Sequence, residues 1–335
     1  MQKCLELANR GFPDNSPNPM VGCVIVYKKN IIGEGYHEKY GNSHAELNAI
    51  NSVKDKSLLS ESILYVNLEP CSHFGNTPPC SDLIIKHKIP KVVIGCIDTF
   101  IEVSGRGIEK MQKKGIIIKS NILEKESREL NKRFFTFHEQ KRPYIILKWA
   151  KSKDGFIAPK NQIKPFWMTC NKSKRLVHKW RSEEDAILVG RITAEKDNPL
   201  LTVREINGKN PTRIVLDKKL QLSKNLNLFN NEEKTIIFNQ IKSENKESCL
   251  YKKVDFNHLI KNILKELYKE KIQSIIVEGG AKTLQSFIDS GLWDEARVFT
   301  TKKKLIDGTK SPSIVGKVVK EEKVDTDTLA IIYNQ

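Results

Sequence analysis

No apolar run in the 335-residue chain approaches the roughly 20 residues needed to cross a bilayer, which excludes a membrane span. The first residues, MQKCLELANRGF, alternate apolar and polar side chains at helical spacing and lack the long apolar core of a secretory signal. We therefore expect a cytoplasmic protein that has no membrane partner. Hydrophobic residues make up 39% and charged residues 29% of the chain, as in a soluble globular protein.

Arginine is scarce in a chain whose formal net charge at pH 7 is +17. Only 11 of the 57 basic residues are arginine, and the other 46 are lysines dispersed among Asp and Glu. Dispersed lysines usually form a solvated surface, whereas planar recognition of bases and phosphates favours arginine. We therefore expect no nucleic-acid partner, while a phosphorylated small-molecule substrate suits the positive charge.

Cysteines are too few and too scattered for a disulfide framework. The chain has seven, an odd number, which favours reduced thiols and makes any close pair a candidate for metal binding or catalysis. The sequence also lacks a Rossmann G-x-G-x-x-G motif, a Walker motif, internal repeats and low-complexity tracts. A nucleotide site, if present, must therefore be built in another way.

The chain is long enough for two domains, since one core usually covers about 100–200 residues. Short apolar runs such as VGCVIVY and KVVIGCID alternate with helical patterns up to residue 120, and a second such series runs from YIILKWAKS to TLAIIY. The pattern predicts an α/β fold with two layered α/β/α domains, residues 1–141 and 142–335.

Gly115 marks the predicted end of a helix. LEKESRELNKRFFTFHEQKR is predicted to be a charged helical segment and is the best candidate linker, and NQIKSENKESCLYKK is predicted to be a surface loop.

The stretch NLEPCSHFGNTPPC, residues 67–80, places Cys71 just after a predicted strand and Cys80 at the start of a predicted helix. Upstream, NSHAELNAI holds His44 and Glu46 at the start of another predicted helix. Two thiolates and one imidazole give Zn²⁺ three protein ligands and leave a fourth position for water, which is the arrangement of a catalytic site. We therefore predict a catalytic zinc site at His44, Cys71 and Cys80.

Glu46 is the predicted base of this site. Water at such a metal has its pKa lowered toward neutrality and becomes a hydroxide nucleophile. Glu46 is near His44 but is not needed as a ligand, so it is placed to take a proton from that water and pass it to a leaving amine. Taken singly, a cysteine is more often a small buried hydrophobe, and a histidine beside a carboxylate is often only hydrogen-bonded. The combination favours the metal site.

These residues resemble the His-x-Glu and Pro-Cys-x-x-Cys signature of the zinc-dependent cytidine-deaminase superfamily. Eight residues, SHFGNTPP, separate Cys71 from Cys80, where the superfamily signature has two. This long spacing, together with SPNPMVGCVIV, GEGYH and VSGRGI, is similar to the deaminase domain of the bifunctional deaminase/reductase family of riboflavin biosynthesis. The resemblance implies a cytidine-deaminase-like first domain.

The same resemblance implies that Asn18 and His37 contact a pyrimidine substrate, that His73 lines the pocket, and that Asp98 lies near the phosphoribosyl end. From the residues alone, Asn18 is equally typical of a turn and His37 of a polar strand end. The chain departs from the family pattern in two places. DTFI stands where the family commonly has DPNP, and Asn76 stands where a basic residue is usual, so we expect the phosphate contacts to be arranged differently.

The second half has weaker signals of its own. VEGGAKTL is typical of a strand, a glycine pair and a helix start, where backbone N–H groups can receive a phosphate. The resemblance to the reductase half of the same family, however, runs almost end to end, through PYIILKWAKSKDGFIA, RIVLD and IIVEGGAKTLQSFIDSGLWDE. That half resembles dihydrofolate reductase in fold, and the resemblance implies that it uses NADPH to reduce a ribosyl group to a ribityl chain.

Two sets of site residues follow from matching the reductase segments position by position. The implied NADPH-binding residues are Trp167, Thr169, Thr193, Asp197, Gly279 and Gly280. The implied substrate-binding residues are Arg181, Leu201, Arg204 and Glu278. From the residues alone, the tryptophan is as typical of a core and the two arginines of a charged surface. Lys218 follows RIVLD where some relatives have a small hydroxyl residue.

We predict a bifunctional riboflavin-pathway enzyme that uses Zn²⁺ for hydrolytic deamination of a phosphoribosylated diaminopyrimidine and NADPH for the reduction that follows, and we expect a homo-oligomer. Two alternatives stay open at this point. A nucleic-acid or nucleotide base deaminase with an accessory C-terminal domain would share the zinc site but would not oxidise NADPH. A zinc-stabilised binding module without catalysis would not depend on Glu46.

Overall fold

A computed structural model describes residues 1–72, 78–99, 105–161 and 166–335. The chain forms two compact units, Met1–Lys141 and Arg142–Gln335. Each unit is an α/β structure with its own sheet and its own buried core. None of the described helices combines the length and the apolar character that a bilayer span requires.

The first unit is built on a five-stranded sheet in the order β2-β1-β3-β4-β5. β1 pairs antiparallel with β2 and β3, while β3, β4 and β5 are parallel. The strands are β1 (Gly22–Tyr27), β2 (Asn30–Tyr36), β3 (Ile63–Leu68), β4 (Lys91–Cys96) and β5 (Ile117–Lys119). The helices are α1 (Gln2–Ala8), α2 (Ala45–Ser52), α3 (Cys80–Lys86), α4 (Arg106–Gln112), α5 (Glu124–Leu130) and α6 (Lys132–Gln140).

Alternation along β1 explains the layers of this unit, because successive side chains of a strand point to opposite faces. Cys23 and Ile25 pack in one core with residues of α2, α3 and α4, such as Ile50 and Ile84. Val24, between them, packs on the other face with residues of α1. The sheet therefore lies between two helical layers, as the sequence predicted. Gly115, at φ +82°, ends the turn after α4 in a conformation that favours glycine, which confirms the predicted helix end.

The second unit is built on a ten-stranded sheet in the order β11-β12-β10-β9-β8-β13-β6-β14-β17-β16. The strands from β12 to β14 run parallel, and antiparallel strands complete both edges. The strands are β6 (Tyr144–Lys151), β8 (Ala186–Gly190), β9 (Thr212–Leu216), β10 (Thr235–Asn239), β11 (Glu244–Lys246), β12 (Cys249–Lys253), β13 (Ser274–Val277), β14 (Glu295–Thr300), β16 (Lys317–Val324) and β17 (Asp327–Tyr333). A separate pair joins β7 (Phe156–Pro159) to β15 (Gly308–Lys310).

Helices again cover both faces of the sheet. The helices are α7 (Asn171–Glu183), α8 (Arg191–Asp197), α9 (Leu259–Lys269) and α10 (Ala281–Asp289). Along β6, Ile145 and Leu147 pack in the core that includes α9 and α10, whereas Ile146 packs in the core that includes α7 and α8. In such sheets ligands bind beyond the carboxyl ends of the parallel strands, so the ends of β6, β8 and β13 are where a cofactor site is expected.

Two predictions from the sequence were wrong. The charged segment that ends the first unit is helical, as predicted, but it is not a linker, because it belongs to the first unit and buries Phe134, Phe135 and Phe137. The polar stretch before residue 254 is not a surface loop, because β11 and β12 add two strands to the sheet edge there. In β12, Cys249 and Tyr251 point inward while alternate side chains are more exposed.

Candidate active sites

The first candidate site is a cluster of His44, Cys71 and Cys80. The end of β3 leads to Cys71, Cys80 is the first residue of α3, and His44 immediately precedes α2. The Nδ1 atom of His44 lies 3.3 Å from Sγ of Cys80 and 3.5 Å from Sγ of Cys71. Their ligand atoms all lie within 4.8 Å of one another, and no fourth His, Cys, Asp or Glu joins the group in the described part of the chain.

This donor set fits zinc. With Zn–S of about 2.3 Å and Zn–N of about 2.0 Å, a tetrahedral site places sulfur and nitrogen ligands about 3.5 Å apart. The two sulfur–nitrogen distances of 3.3 and 3.5 Å are close to that separation. Thiolate and imidazole are the ligands that zinc prefers, and three of them make up the protein's part of a catalytic site.

The contacts of the two thiols make them unequal as acids. The backbone N–H of Cys80 donates to Sγ of Cys71 over 3.3 Å, and the N–H of Ser81 donates to the carbonyl of Cys71 over 3.1 Å. The hydrogen bond between the two thiols lowers the pKa of Cys71 and raises the pKa of Cys80. Cys71 is therefore the more acidic thiol, and it offers a thiolate most readily.

Glu46 lies in the first turn of α2 with only 3% of its surface exposed. Burial, followed by the charge of Cys71, raises the pKa of this carboxyl above its ordinary value. A carboxyl whose pKa is moved toward neutrality can both accept and release a proton near pH 7. The structure therefore brings a proton carrier to the same helix start as His44.

Asn18 and His37 lie together beside the metal cluster. The side-chain amide of Asn18 donates to Nε2 of His37 over 3.0 Å, and Nδ1 of His37 lies 3.1 Å from the carbonyl of Ser43. Because a carbonyl only accepts, Nδ1 carries the proton and Nε2 is the acceptor. Burial lowers the pKa of His37, which keeps the ring neutral. Its ring meets that of His44 edge-on, with centroids 5.5 Å apart.

Asp98 and His73 are the other two residues predicted for the deaminase pocket. Asp98 is buried at 6% exposure, two residues beyond β4. His73 lies outside the described residues, as do Asn76 and most of the segment after Asp98.

Glu69, which the motif search did not single out, holds the chain around Asp98. One of its carboxylate oxygens accepts the N–H groups of Asp98 (3.4 Å) and Gly105 (3.0 Å). The other accepts those of Gly107 (3.2 Å) and Ile108 (3.4 Å). One carboxylate next to the Pro-Cys motif therefore ties the end of β3 to the segments on both sides of residues 100–104. In the sequence, Glu69 is marked only by its place in EPC. A single glutamate in that position does not predict such a role.

In the second unit, Glu278 follows β13 and receives two hydrogen bonds from Arg181 of α7, each of 2.8 Å. Nζ of Lys148, on β6, lies 3.7 Å from the same carboxylate, and all three side chains are at least 85% buried. Burial would raise the pKa of Glu278, but the charges of Arg181 and Lys148 outweigh it and lower the pKa to about 2. Sequence reasoning missed Lys148, whose only signal is a charge within the apolar strand YIILKWAK.

Leu201 and Arg204 lie next to this ionic cluster. Nη1 of Arg181 donates to the carbonyl of Thr202 over 3.4 Å, and Nη1 of Arg204 donates to Oγ1 of Thr202 over 3.0 Å. Leu201 has φ +58°, a conformation that costs energy in a residue other than glycine and that is concentrated at functional sites. The structure thus brings the four predicted substrate residues to one place. The guanidinium of Arg181 is paired with Glu278, whereas Arg204 is exposed.

Part of the predicted cofactor set also comes together. A Cβ on Gly279 would lie 2.8 Å from Cβ of Val189, so the turn after β13 approaches the end of β8 too closely for a larger residue. Gly280 has φ +63°, and a Cβ there would lie 3.3 Å from Oγ1 of Thr193 on α8. Asp197 is the last residue of α8. The two glycines thus precede the start of α10, and the start of a helix is where backbone N–H groups can receive a phosphate.

Trp167 and Thr169 lie in the segment before α7 rather than at the glycine turn. The indole of Trp167 is 54% exposed, and Nζ of Lys174 lies 5.1 Å from its ring centroid. Nζ of Lys303 donates to its carbonyl over 3.2 Å. The segment therefore presents an exposed indole with two lysine ammonium groups beside it, which suits a ligand that has an aromatic ring and a negative charge.

Comparison with known proteins assigns both halves. The zinc-binding region of cytidine and deoxycytidylate deaminases matches residues 1–96, and the RibD C-terminal domain matches residues 143–324. The riboflavin biosynthesis protein RibD of Aquifex aeolicus is 41% identical over 316 residues, covering 92% of this chain and 87% of that protein. The protein of the same name from Escherichia coli is 33% identical over 324 residues, covering 91% and 87%.

Solved structures give the same result. The diaminohydroxyphosphoribosylaminopyrimidine deaminase/5-amino-6-(5-phosphoribosylamino)uracil reductase of Thermotoga maritima has a TM-score of 0.90 and 36% identity, covering all of this chain and 97% of its own. Acinetobacter baumannii RibD also has a TM-score of 0.90, at 28% identity, with the same coverage.

Proposed function

The chain belongs to the RibD family of riboflavin biosynthesis proteins, and on this premise we propose which residues carry its two activities. It is a bifunctional enzyme with a zinc-binding deaminase domain and an NADPH-dependent reductase domain. We propose that the first unit releases ammonia from a phosphoribosylated diaminopyrimidine, and that the second unit reduces the ribosyl group of the product to a ribityl chain. We also propose that it acts as a homo-oligomer in the cytoplasm, without nucleic acid.

We propose that His44, Cys71 and Cys80 hold the zinc ion, which when bound activates a water for attack on the pyrimidine. Glu46 takes a proton from the attacking water and delivers it to the departing amine. Its raised pKa supports this role, because the same carboxyl must first accept and then release the proton. Ammonia leaves, and a carbonyl replaces the amine on the ring.

The remaining deaminase residues orient the pyrimidine. Asn18 and the neutral ring of His37 already hold each other through one hydrogen bond, so they present fixed polar groups beside the metal cluster. Such fixed groups lower the entropy cost of placing the substrate. His73 and Asp98 would complete the pocket, with Asp98 toward the phosphoribosyl end. Glu69 supports that end by fixing the backbone of Asp98.

In the second unit, NADPH supplies the hydride, and the protein positions cofactor and substrate and excludes water. Thr193, Asp197, Gly279 and Gly280 would bind the cofactor at the carboxyl ends of β8 and β13, and Trp167 and Thr169 would contact it from the segment before α7. Leu201, Arg204 and the pair of Arg181 with Glu278 would bind the substrate. The guanidinium of Arg204 suits the substrate phosphate, because it is exposed and a guanidinium offers several N–H donors in a planar fork.

The convergence of one imidazole and two thiols beside a buried glutamate is the observation that carries the first activity. One experiment tests both activities. Ammonia release and NADPH oxidation are measured on one sample of known zinc content, first with the diaminopyrimidine substrate and then with its deaminated product. Ammonia release is expected with the diaminopyrimidine substrate, and NADPH oxidation is expected with its deaminated product. A base deaminase with an accessory domain would release ammonia without oxidising NADPH.

A further inference from the structure

His178 is a buried histidine that the proposed reductase site does not use. It lies on α7, three residues before Arg181, and only 1% of its surface is exposed. Its Nδ1 atom accepts the backbone N–H of Arg204 over 3.1 Å. Its Nε2 atom is buried and has no hydrogen-bond partner in the part of the chain that the structure describes.

The hydrogen bond to Arg204 defines the chemical form of the ring. A nitrogen that accepts an N–H has no proton of its own, so His178 is neutral and carries its proton on Nε2. Burial, followed by the charges of Arg181 and Arg204, lowers the pKa of His178 to about 4, which is consistent with a neutral ring at pH 7. A protonated ring would lose the acceptor and repel both arginines.

The segment from residue 201 to 204 depends on side chains to hold its backbone. It is neither helix nor strand, and Leu201 has φ +58°. The N–H of Val203 donates to Oδ1 of Asn210 over 2.7 Å, and the next N–H, that of Arg204, donates to His178. The histidine therefore fixes the base of the Arg204 side chain against the helix that carries Arg181.

Arg204 needs such support because its side chain is exposed. Its guanidinium has one short contact of 3.0 Å, to Oγ1 of Thr202. An arginine side chain loses considerable rotamer freedom when it binds a ligand, and fixing its backbone reduces what must be ordered at that moment. His178 is the α7 residue that accepts the backbone N–H of Arg204 itself.

We propose that His178 is a positioning residue of the reductase, which sets the place of Arg204 for binding the phosphate of the substrate. The inference rests on the proposed role of Arg204. It assigns no contact between His178 and the substrate, and it gives a role to a buried imidazole that accepts the backbone N–H of Arg204.

The test compares two variants in NADPH oxidation with the deaminated, phosphorylated pyrimidine. His178→Leu fills the space but removes the acceptor, and we expect KM for the pyrimidine to rise about tenfold while kcat stays within about twofold, the effect of losing one hydrogen bond. His178→Asn places Oδ1 near the position of Nδ1, and we expect it to restore KM to within about threefold of the parent. The retained kcat of NADPH oxidation shows that the second unit is folded, and ammonia release by the first unit serves as the control for the amount of enzyme.

Arg204→Ala separates this inference from the role of Arg204. If Arg204→Ala raises KM and His178→Leu leaves it unchanged, the inference fails and the arginine keeps its role. If Arg204→Ala leaves KM unchanged, the proposed role of the arginine fails, and the inference fails with it. In the Arg204→Ala background, His178→Leu is expected to add no further increase in KM, and an additive increase would contradict the inference.

A measurement on the parent chain covers the case in which His178→Leu does not fold. The ¹⁵N chemical shifts of the His178 ring at pH 7 are expected to show an unprotonated Nδ1 and a protonated Nε2. A ring with its proton on Nδ1 would overturn the inference, because it could not accept from Arg204.

Discussion

Nδ1 of His44 lies 3.3 Å from the sulfur of Cys80, although 36 residues separate them in the chain. The two residues stand at the starts of different helices, and both helices pack in one core on the same face of the sheet. With Cys71 at 3.5 Å from the same nitrogen, the three side chains form the cluster proposed to hold zinc, and Glu46 lies two residues from His44.

Glu46→Gln removes the proton carrier and keeps the shape of the side chain. We expect ammonia release to fall by about 10²- to 10⁴-fold, the usual contribution of a positioned acid–base group. Zinc content and NADPH oxidation are expected to stay unchanged, because Glu46 is neither a ligand nor part of the second unit. The matched control is Glu109→Gln on α4, whose side chain is 71% exposed and which should retain activity. Full activity of Glu46→Gln would refute its role.

Cys80→Ala removes one zinc ligand. We expect metal analysis to show loss of zinc together with loss of ammonia release, while NADPH binding and oxidation continue in the second unit. Cys4→Ala makes the same chemical change at another buried cysteine of the first unit, outside the cluster, and should keep its zinc. Loss of both activities in a folded Cys80→Ala chain would show that the two sites depend on each other.

Glu278→Gln leaves the charges of Arg181 and Lys148 buried without their carboxylate. We expect a loss of about 3–5 kcal/mol in the free energy of unfolding of the second unit, measured by denaturant titration, and a loss of NADPH oxidation. Glu195→Gln removes an exposed partner of Arg191 and should cost less than about 1 kcal/mol. Equal effects of the two substitutions would show that the buried cluster does not stabilise the fold.

Stability should also depend on pH through His178. Burial and the nearby Arg181 and Arg204 lower its pKa to about 4 in the folded chain from 6.5, with Glu205 and Glu278 acting in the opposite direction. As the pH falls, the histidine is therefore protonated in the unfolded state before it is protonated in the folded state. The stability that the neutral ring contributes is complete above pH 6.5 and is lost as the pH falls toward 4.

The comparison uses His178→Asn, which has no titrating group at this position. Between pH 7 and pH 5, the parent should lose about 2 kcal/mol more free energy of unfolding than the variant, measured by denaturant titration of the second unit. Parallel curves for the two chains would show that the folded histidine titrates normally.

The regular alternation of apolar and polar residues allowed most of the fold to be predicted. The errors fall in two segments where charged and polar residues obscure that alternation. Alternating burial along β1 and β6 reflects the same periodicity that indicated layered α/β domains. The charged segment with Phe134 was taken for a linker because only one face of α6 is apolar. β12 escaped prediction because it is short and its alternate side chains, such as that of Lys252, are only partly buried.

The sites were predictable only where residues belong to a motif. His44, Cys71 and Cys80 stand at spacings typical of a metal site. Lys148 and His178 belong to no motif. Their roles depend on contacts with distant segments, Lys148 with Glu278 and His178 with Arg204. Only the folded chain shows that the partners meet.

X-ray absorption at the zinc edge, on chain with measured metal content, tests the central claim most directly. The account predicts two sulfur neighbours and one imidazole nitrogen from the protein, with a light fourth neighbour that comes from solvent. Cys80→Ala would remove one sulfur from any metal that is retained. A spectrum without sulfur, or one with four protein ligands, would contradict the account, because no position would be left for the reacting water.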